Sequence, residues 1–195
     1  IALFATAMSS DASAQIVNDL HDDIDGGTIV LDSATGNGNV SGAAIEGFLT
    51  NQTDTVMRVS IYLTRPIYFA NDGPGQNMVA SEVYYSDGDY EYDGRRPFIE
   101  LEPGAQTAVR FVAYCVEFEK DNPTPAEIFS IGNMPSALGG VMTSINAFAF
   151  ANPSMDMSAT AQIAIWLAQG ESLDDIRSRL DFTDAEEGLA RYFNR

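Results

Sequence analysis

The amino-acid sequence predicts a mainly β protein: an antiparallel β-sandwich followed by a small α-helical subdomain. Three observations carry this. Short runs rich in β-branched and aromatic residues recur from Ile29 to Phe118, each bounded by Gly, Pro, Asn or Asp. Within two of these runs the side chains alternate with the period of a half-buried strand. Beyond Lys120 the pattern changes to helical spacing with capping residues. The organisation that follows is a signal-peptide remnant over 1–14, a polar arm over 15–28, a sandwich over 29–120 and a mixed, helical part over 121–195.

Taken in order, the arm is polar and acidic up to Gly26-Gly27, which lead into the β-type run Thr28-Ile29-Val30-Leu31. Gly36-Asn37-Gly38-Asn39 is a turn signal, because Gly and Asn tolerate positive φ. Strand candidates follow at 43–49, 56–63, 76–85 and 107–118. In 56–63, Arg58, Ser60 and Tyr62 take one side and Val59, Ile61 and Leu63 the other, so this strand meets the core with one face. Leu101-Glu102-Pro103-Gly104 turns the chain into the next strand, where Val109, Phe111 and Ala113 alternate with Ala108, Arg110 and Val112. The same alternation puts Cys115 with Val109, Phe111 and Ala113, on the core side.

Asp121-Asn122-Pro123-Thr124-Pro125 breaks the strand pattern. Residues 138–150 read as helical from the spacing of Val141, Ile145 and Phe148, despite Gly139-Gly140. Ser158 or Thr160 is expected to cap a helix that runs to about Gln169 and closes at Gly170. Ser172-Leu173-Asp174-Asp175 starts another with acid in its first turn. Thr183-Asp184-Ala185-Glu186 is a capping box, opening a third helix that ends near Asn194.

Charge restricts the partners. Ten basic against 28 acidic residues give a net charge of −18, which repels phosphate backbones and anionic lipid, so no nucleic-acid partner is expected. The 11 Phe and 8 Tyr indicate a packed fold and not an acidic disordered chain. The apolar start and Ala12-Ser13-Ala14, an A-x-A cleavage pattern, lead us to expect export, to a secreted or cell-surface location. No run reaches the ~18 apolar residues of a membrane span. The lone His21 argues against a Ser-His-Asp triad or a histidine zinc site, and Gly-x-x-x-x-Gly-Lys is absent. A non-enzymatic protein is expected.

Cys115 is the only cysteine, set in Tyr114-Cys115-Val116, and Gln162 opens the segment Gln162-Ile163-Ala164-Ile165-Trp166. A buried thiol and a carboxamide that meet in a fold can condense into an internal thioester. The predicted cap puts Gln162 in the first turn of its helix, where free N–H groups and the helix dipole would polarise its carbonyl. Trp166 lies one turn on and can screen the bond from water. The plainer reading is a small core cysteine and a glutamine ending an apolar helix face.

These two segments resemble the thioester domains of bacterial surface adhesins, which pair an aromatic-Cys-apolar triplet with a downstream Gln-x-Ala-Ile-Trp helix. The resemblance covers residues 109–169. It implies a β-sandwich with a helical insertion, attack of Cys115 on the side-chain carbonyl of Gln162 with loss of ammonia, shielding by Tyr114 and Trp166, and capture of the acyl group by a target amine. Family members place the cysteine earlier in the fold and often have Thr directly before the glutamine, where this chain has Ala161.

A second constellation is acidic. Asp89, Glu91, Asp93 and Glu100 have the spacing of oxygen ligands in a calcium loop, with Gly94 at the bend and Pro97 interrupting it. The plainer reading is an acidic hairpin with solvated charges. Asp22-Asp23-Ile24-Asp25-Gly26 is a weaker calcium candidate. Tyr84, Tyr85, Tyr90 and Tyr92 form an aromatic cluster suited to a sugar or a protein surface, or to ordinary strand packing. Asn39 and Asn51 each begin a glycosylation sequon.

The function expected from sequence is adhesion or surface binding to an extracellular protein or glycan, with a Cys115–Gln162 thioester as its reactive element. The alternative is a structural subunit of an extracellular filament or surface assembly, self-associating through the arm and especially residues 28–31.

Overall fold

The structure, a computed structural model, describes residues 17–86 and 98–195. In chain order the elements are β1 (Val17–Asn18), α1 (Leu20–Asp25), β2 (Ile29–Gly36), β3 (Ala43–Asn51), β4 (Met57–Ser60), β5 (Tyr62–Asn71), β6 (Met78–Tyr85), β7 (Phe98–Leu101), β8 (Gln106–Cys115) and β9 (Phe129–Ile131), then α2 (Ser136–Ala151), α3 (Ser158–Ala168), α4 (Leu173–Arg177) and α5 (Asp184–Phe193). The fold is mainly β, as expected, with a helical part at its C-terminal end.

The strands form a six-stranded sheet in the order β2-β3-β8-β6-β5-β9 and a three-stranded sheet, β1-β4-β7. The six-stranded sheet is antiparallel throughout, and β1 with β4 is the parallel pair. It curls until its edges meet: Thr35 of β2 bridges Ile128, and the Gly36 N–H donates to the Glu127 carbonyl at 3.4 Å. The result is a sandwich close to a barrel. β8 runs through its middle, hydrogen-bonded to β3 on one side and β6 on the other.

The alternation read along β8 holds. Val109, Phe111, Ala113 and Cys115 are fully buried, and Phe69 of β5 packs edge-on against Phe111 at 5.1 Å and Phe129 at 6.2 Å. A register shift between Ala80 and Glu82 changes the phase of β6 against β8. Because of this bulge, Glu82 and Tyr84 stand opposite Val112 and Arg110, on the sheet face that also carries Tyr114. The helices cover part of that seam: α2 packs on β5, α3 on β8, and α5 on α3. Phe118 meets Trp166 edge-on at 5.1 Å, and Phe148 meets Phe193 at 5.6 Å, so one apolar core runs through both parts.

Several elements differ from the sequence reading. The run 56–63 is two strands, β4 and β5, in different sheets, with the chain crossing over at Ile61. Val59, Ile61 and Leu63 are buried all along it, so their alternation gives no sign of the crossover. β5 continues through Pro66, which sits in a stretch where its register to β6 shifts and no ladder N–H is required. Residues 17–25 form β1 and α1, with Asp19 capping the helix through the His21 N–H at 2.9 Å and Leu20 fully buried. The Thr28-Leu31 run is paired within the molecule, Ile29 to Leu31 lying opposite Asn51 to Leu49.

The C-terminal helices follow their caps. Ser172 caps α4, and the capping box of Thr183 with Glu186 opens α5. In α2 the hydroxyls of Thr143 and Ser144 return to the Gly139 and Gly140 carbonyls at 2.9 and 3.0 Å. The start of α3 is a correction: Met157 occupies the N-cap position without a side-chain bond, and neither Ser158 nor Thr160 caps it. Asp156 instead accepts from the Ser158 N–H at 2.9 Å. Among the described residues no helix is long and apolar enough to cross a membrane.

Candidate functional site

Cys115 ends β8, and α3 lies over that end of the sheet. α3 is buried along most of its length, including Gln162 to Trp166, so Gln162 points its carboxamide into the seam between sandwich and helices. There it docks on the backbone of Cys115. The Cys115 N–H donates to Gln162 Oε1 at 3.0 Å, and Gln162 Nε2 donates to the Cys115 carbonyl at 2.7 Å. Both residues are 0% exposed. The structure thus brings together the two residues singled out from sequence, although a carboxamide on an otherwise apolar helix had no fixed partner there.

This pairing is that of one β-strand on another, made by a side chain. Its energetics are asymmetric: a satisfied buried amide adds about 1 kcal/mol, whereas leaving one of these groups unpaired costs about 1–3 kcal/mol. The Cys115 N–H is shared, since it also donates to the Val40 carbonyl at 3.0 Å. What polarises the Gln162 carbonyl is therefore this N–H and not the helix terminus. Gln162 lies beyond the first turn, because α3 begins at Ser158. The expectation of a dipole-activated carbonyl is corrected accordingly.

Burial, reinforced by the negative charge of Glu117, pushes the Cys115 thiol up to about 12. Glu117 is itself held by the Asn77 N–H at 2.7 Å and by Lys120 at 3.3 Å. The thiol is consequently protonated at neutral pH and surrounded by apolar groups. Tyr114 and Trp166 are each 2% exposed, and neighbouring Ala161, Ile163, Ala164 and Ile165 are fully buried. Water is excluded from the pair on the α3 side. The indole N–H of Trp166 is buried without a hydrogen-bond partner.

On the other face of β8 from the Cys115 side chain is a cavity of about 350 Å³, between the outer face of β6 and β8 and the α2–α3 connection. Tyr62, Glu82, Tyr84, Tyr114, Met155 and Asp156 contribute to its wall. Tyr84 donates its hydroxyl to Glu82 Oε2. Burial raises the Glu82 carboxyl, partly offset by that bond, and the Tyr114 phenol is raised by burial and then by Glu82. The cavity also reaches Ser158, one turn before Gln162. Glu82, Tyr62 and Asp156 did not stand out in the sequence reading. The available signal was Glu82 as the one charged residue in the run 78–85.

The acidic candidates separate. Asp89, Glu91 and Asp93 lie outside the described residues, as do Gly94, Tyr90 and Tyr92. Glu100 is engaged by Arg58, whose Nε and Nη2 both reach Oε1, at 2.8 and 2.6 Å. Tyr85 bonds the Glu100 backbone through its hydroxyl, at 3.0 Å to the carbonyl and 2.6 Å from the N–H. The Asp22-Asp23-Ile24-Asp25 run is helix α1: Asp22 pairs with Arg65, Asp25 with His21 at 3.2 Å, and Asp23 accepts from Thr28 at 3.0 Å. Among the described residues no group of three or more His, Cys, Asp or Glu is placed to hold a metal ion. Asn51, in the second sequon, is fully buried and donates to the Thr55 and Leu101 carbonyls at 2.8 and 2.9 Å, a structural role.

Compared with protein-family models, curated proteins and solved structures, the chain has no match.

Proposed function

We propose that this chain is an exported surface-binding module that captures an amine on an extracellular target through an internal thioester between Cys115 and Gln162. One observation carries the reading: the buried Gln162 carboxamide is held against the Cys115 backbone by a reciprocal pair of hydrogen bonds. The residue that supplies the nucleophile thereby also supplies an N–H to the oxygen on which charge develops, the arrangement that favours acyl transfer. The thioester domains of surface adhesins, which these two motifs resemble, are the class it fits.

The chemistry balances within the pair. The thiol sulfur adds to Gln162 Cδ, a carbon–sulfur bond forms, and the carbon–nitrogen bond breaks. The thiol proton, retained at neutral pH because burial raises the group, leaves with the nitrogen as ammonia. An incoming amine then attacks the acyl carbon, forms an amide and returns the proton to sulfur. The event is single, because nothing restores the carboxamide. Exclusion of water protects the acyl bond until that encounter, and Tyr114 and Trp166 serve this purpose.

Intact-mass spectrometry tests the reading. The purified chain should weigh about 17 Da less than its sequence, the mass of ammonia, and Cys115→Ala or Gln162→Ala should restore the full mass. Methylamine should convert the parent chain to an adduct and leave both variants unchanged. An unmodified mass with one titratable thiol would leave Cys115 a core residue and the chain a structural or plain binding subunit.

A further inference from the structure

The cavity walled in part by Tyr114 has a chemistry of its own. Two carboxylates face it, Glu82 from β6 and Asp156 from the α2–α3 connection, and no Lys, Arg or His lines it among the described residues. Glu82 takes part in no ion pair among the described residues, and its identified hydrogen bond comes from the neutral hydroxyl of Tyr84. Three tyrosines, Tyr62, Tyr84 and Tyr114, complete the wall. A concave site with aromatic faces and uncompensated negative charge attracts one class of ligand, an organic cation: the rings contribute their negative faces and the carboxylate an ion pair. An anion would meet two like charges there, and a neutral alkyl group would leave Glu82 desolvated without compensation.

We propose that this cavity is an alkylammonium-binding site, with Glu82 as the counter-ion and Tyr62, Tyr84 and Tyr114 as the aromatic walls. Its volume of about 350 Å³ admits an alkyl chain ending in an ammonium group, the chemistry of a lysine side chain. The bulge in β6 is what makes the site. Without the register shift between Ala80 and Glu82 the carboxylate would point to the other face of the sheet, into the apolar core. Asp156 is fixed by the Ser158 N–H, so the second charge is also held in place. Position gives the site its use, an inference that rests on the thioester reading above. Tyr114 precedes Cys115 on β8 and Ser158 precedes Gln162 by one turn of α3, so a captured ammonium is concentrated one residue along β8 from Cys115 and one turn of α3 from Gln162, on the sheet face opposite the thiol. The reactive pair is itself fully buried, and the cavity wall includes Tyr114, the chain neighbour of Cys115.

The test is a titration of the parent chain and of Cys115→Ala with n-butylammonium chloride, followed by amide NMR shifts, with 1-pentanol as the uncharged analogue of similar length. Saturable shifts at Gly42, Val112 and Asp156 with n-butylammonium, at least tenfold weaker affinity for 1-pentanol, and at least tenfold weakening in Glu82→Gln are expected. Glu82→Gln retains an acceptor for Tyr84, and should it fail to fold, the comparison of the two probes on the parent chain decides alone. Equal binding of 1-pentanol, no saturable binding, or undiminished affinity in a folded Glu82→Gln would overturn the proposal. Cys115→Ala has no thioester to lose, so ammonium binding there is read independently of the mass experiment, and failure of either idea is seen without the other.

Discussion

Cys115 meets one side chain, Gln162, with two backbone groups, and the consequences are electrostatic as well as geometric. Its thiol is pushed up to about 12, by burial first and Glu117 second, from an ordinary value of 9.0. In the unfolded chain the thiol loses its proton near that ordinary value, so between pH 9 and 12 the native state holds a proton that the unfolded state has lost. Stability from this group is intact below that window and falls through it as pH rises, by about 1.4 kcal/mol per pH unit. A sulfur tied up in a thioester has no proton to hold. Urea midpoints across the window should therefore fall more steeply for Gln162→Ala, which keeps the thiol free, than for the parent chain or for Gln162→Ala combined with Cys115→Ala, where the phenols of Tyr68, Tyr84 and Tyr114, also raised by burial, still contribute a fall. A parent chain that falls in step with Gln162→Ala would indicate a free thiol.

Among the elements, α5 offers the cleanest stability test. Its capping box joins Thr183 and Glu186 in both directions, the Thr183 N–H donating at 2.7 Å and the Glu186 N–H at 3.3 Å. Thr183→Ala should cost about 1 kcal/mol, seen as a lower melting temperature. Because Asn194 at the end of α5 donates to the Ala164 carbonyl of α3 at 3.0 Å, hydrogen exchange in α3 should quicken as well. This cap was legible in the sequence, as were the Ser172 cap and the alternation that buries Cys115, because each depends on residues close together in the chain. The division of 56–63 between two sheets was not legible: the apolar phase runs unbroken from Val59 to Leu63, and only the tertiary arrangement parts the strands. The short β7 and β9 lack any periodicity of their own and exist because β4 and β5 have edges to pair. The position of Glu82 was hidden for a related reason. A bulge changes which face a residue takes, and the residues 80–82 that form it contain no Gly or Pro to mark it. The sequence-based start of α3 was displaced because Met157 is drawn into the core, and Asp156 bonds the first helical N–H from outside.

For the molecule as a whole, a net charge of −18 sets the solution behaviour. The ion pairs among the described residues are largely solvent-exposed, for example Arg65 with Asp22 and Arg177 with Asp184, and such pairs contribute little. Self-repulsion of the excess acid outweighs them, and salt screens it over a Debye length of about 10 Å at ~0.1 M. Melting temperature should rise as sodium chloride is raised from about 10 mM to about 500 mM, and a flat or falling curve would show that ion pairs outweigh the repulsion. Cys115 and Gln162 also join parts of the chain 47 positions apart, with β9 and α2 between them. A covalent bond at that point closes the intervening stretch into a loop. Tension on the two ends of the chain would then pass straight from β8 to α3, and the backbone of β9 and α2 would carry none of it. Full extension would fall short by roughly 160 Å, the contour of the sequestered segment, so a molecule tethered at both ends would keep that length of chain unextended while the rest was drawn out.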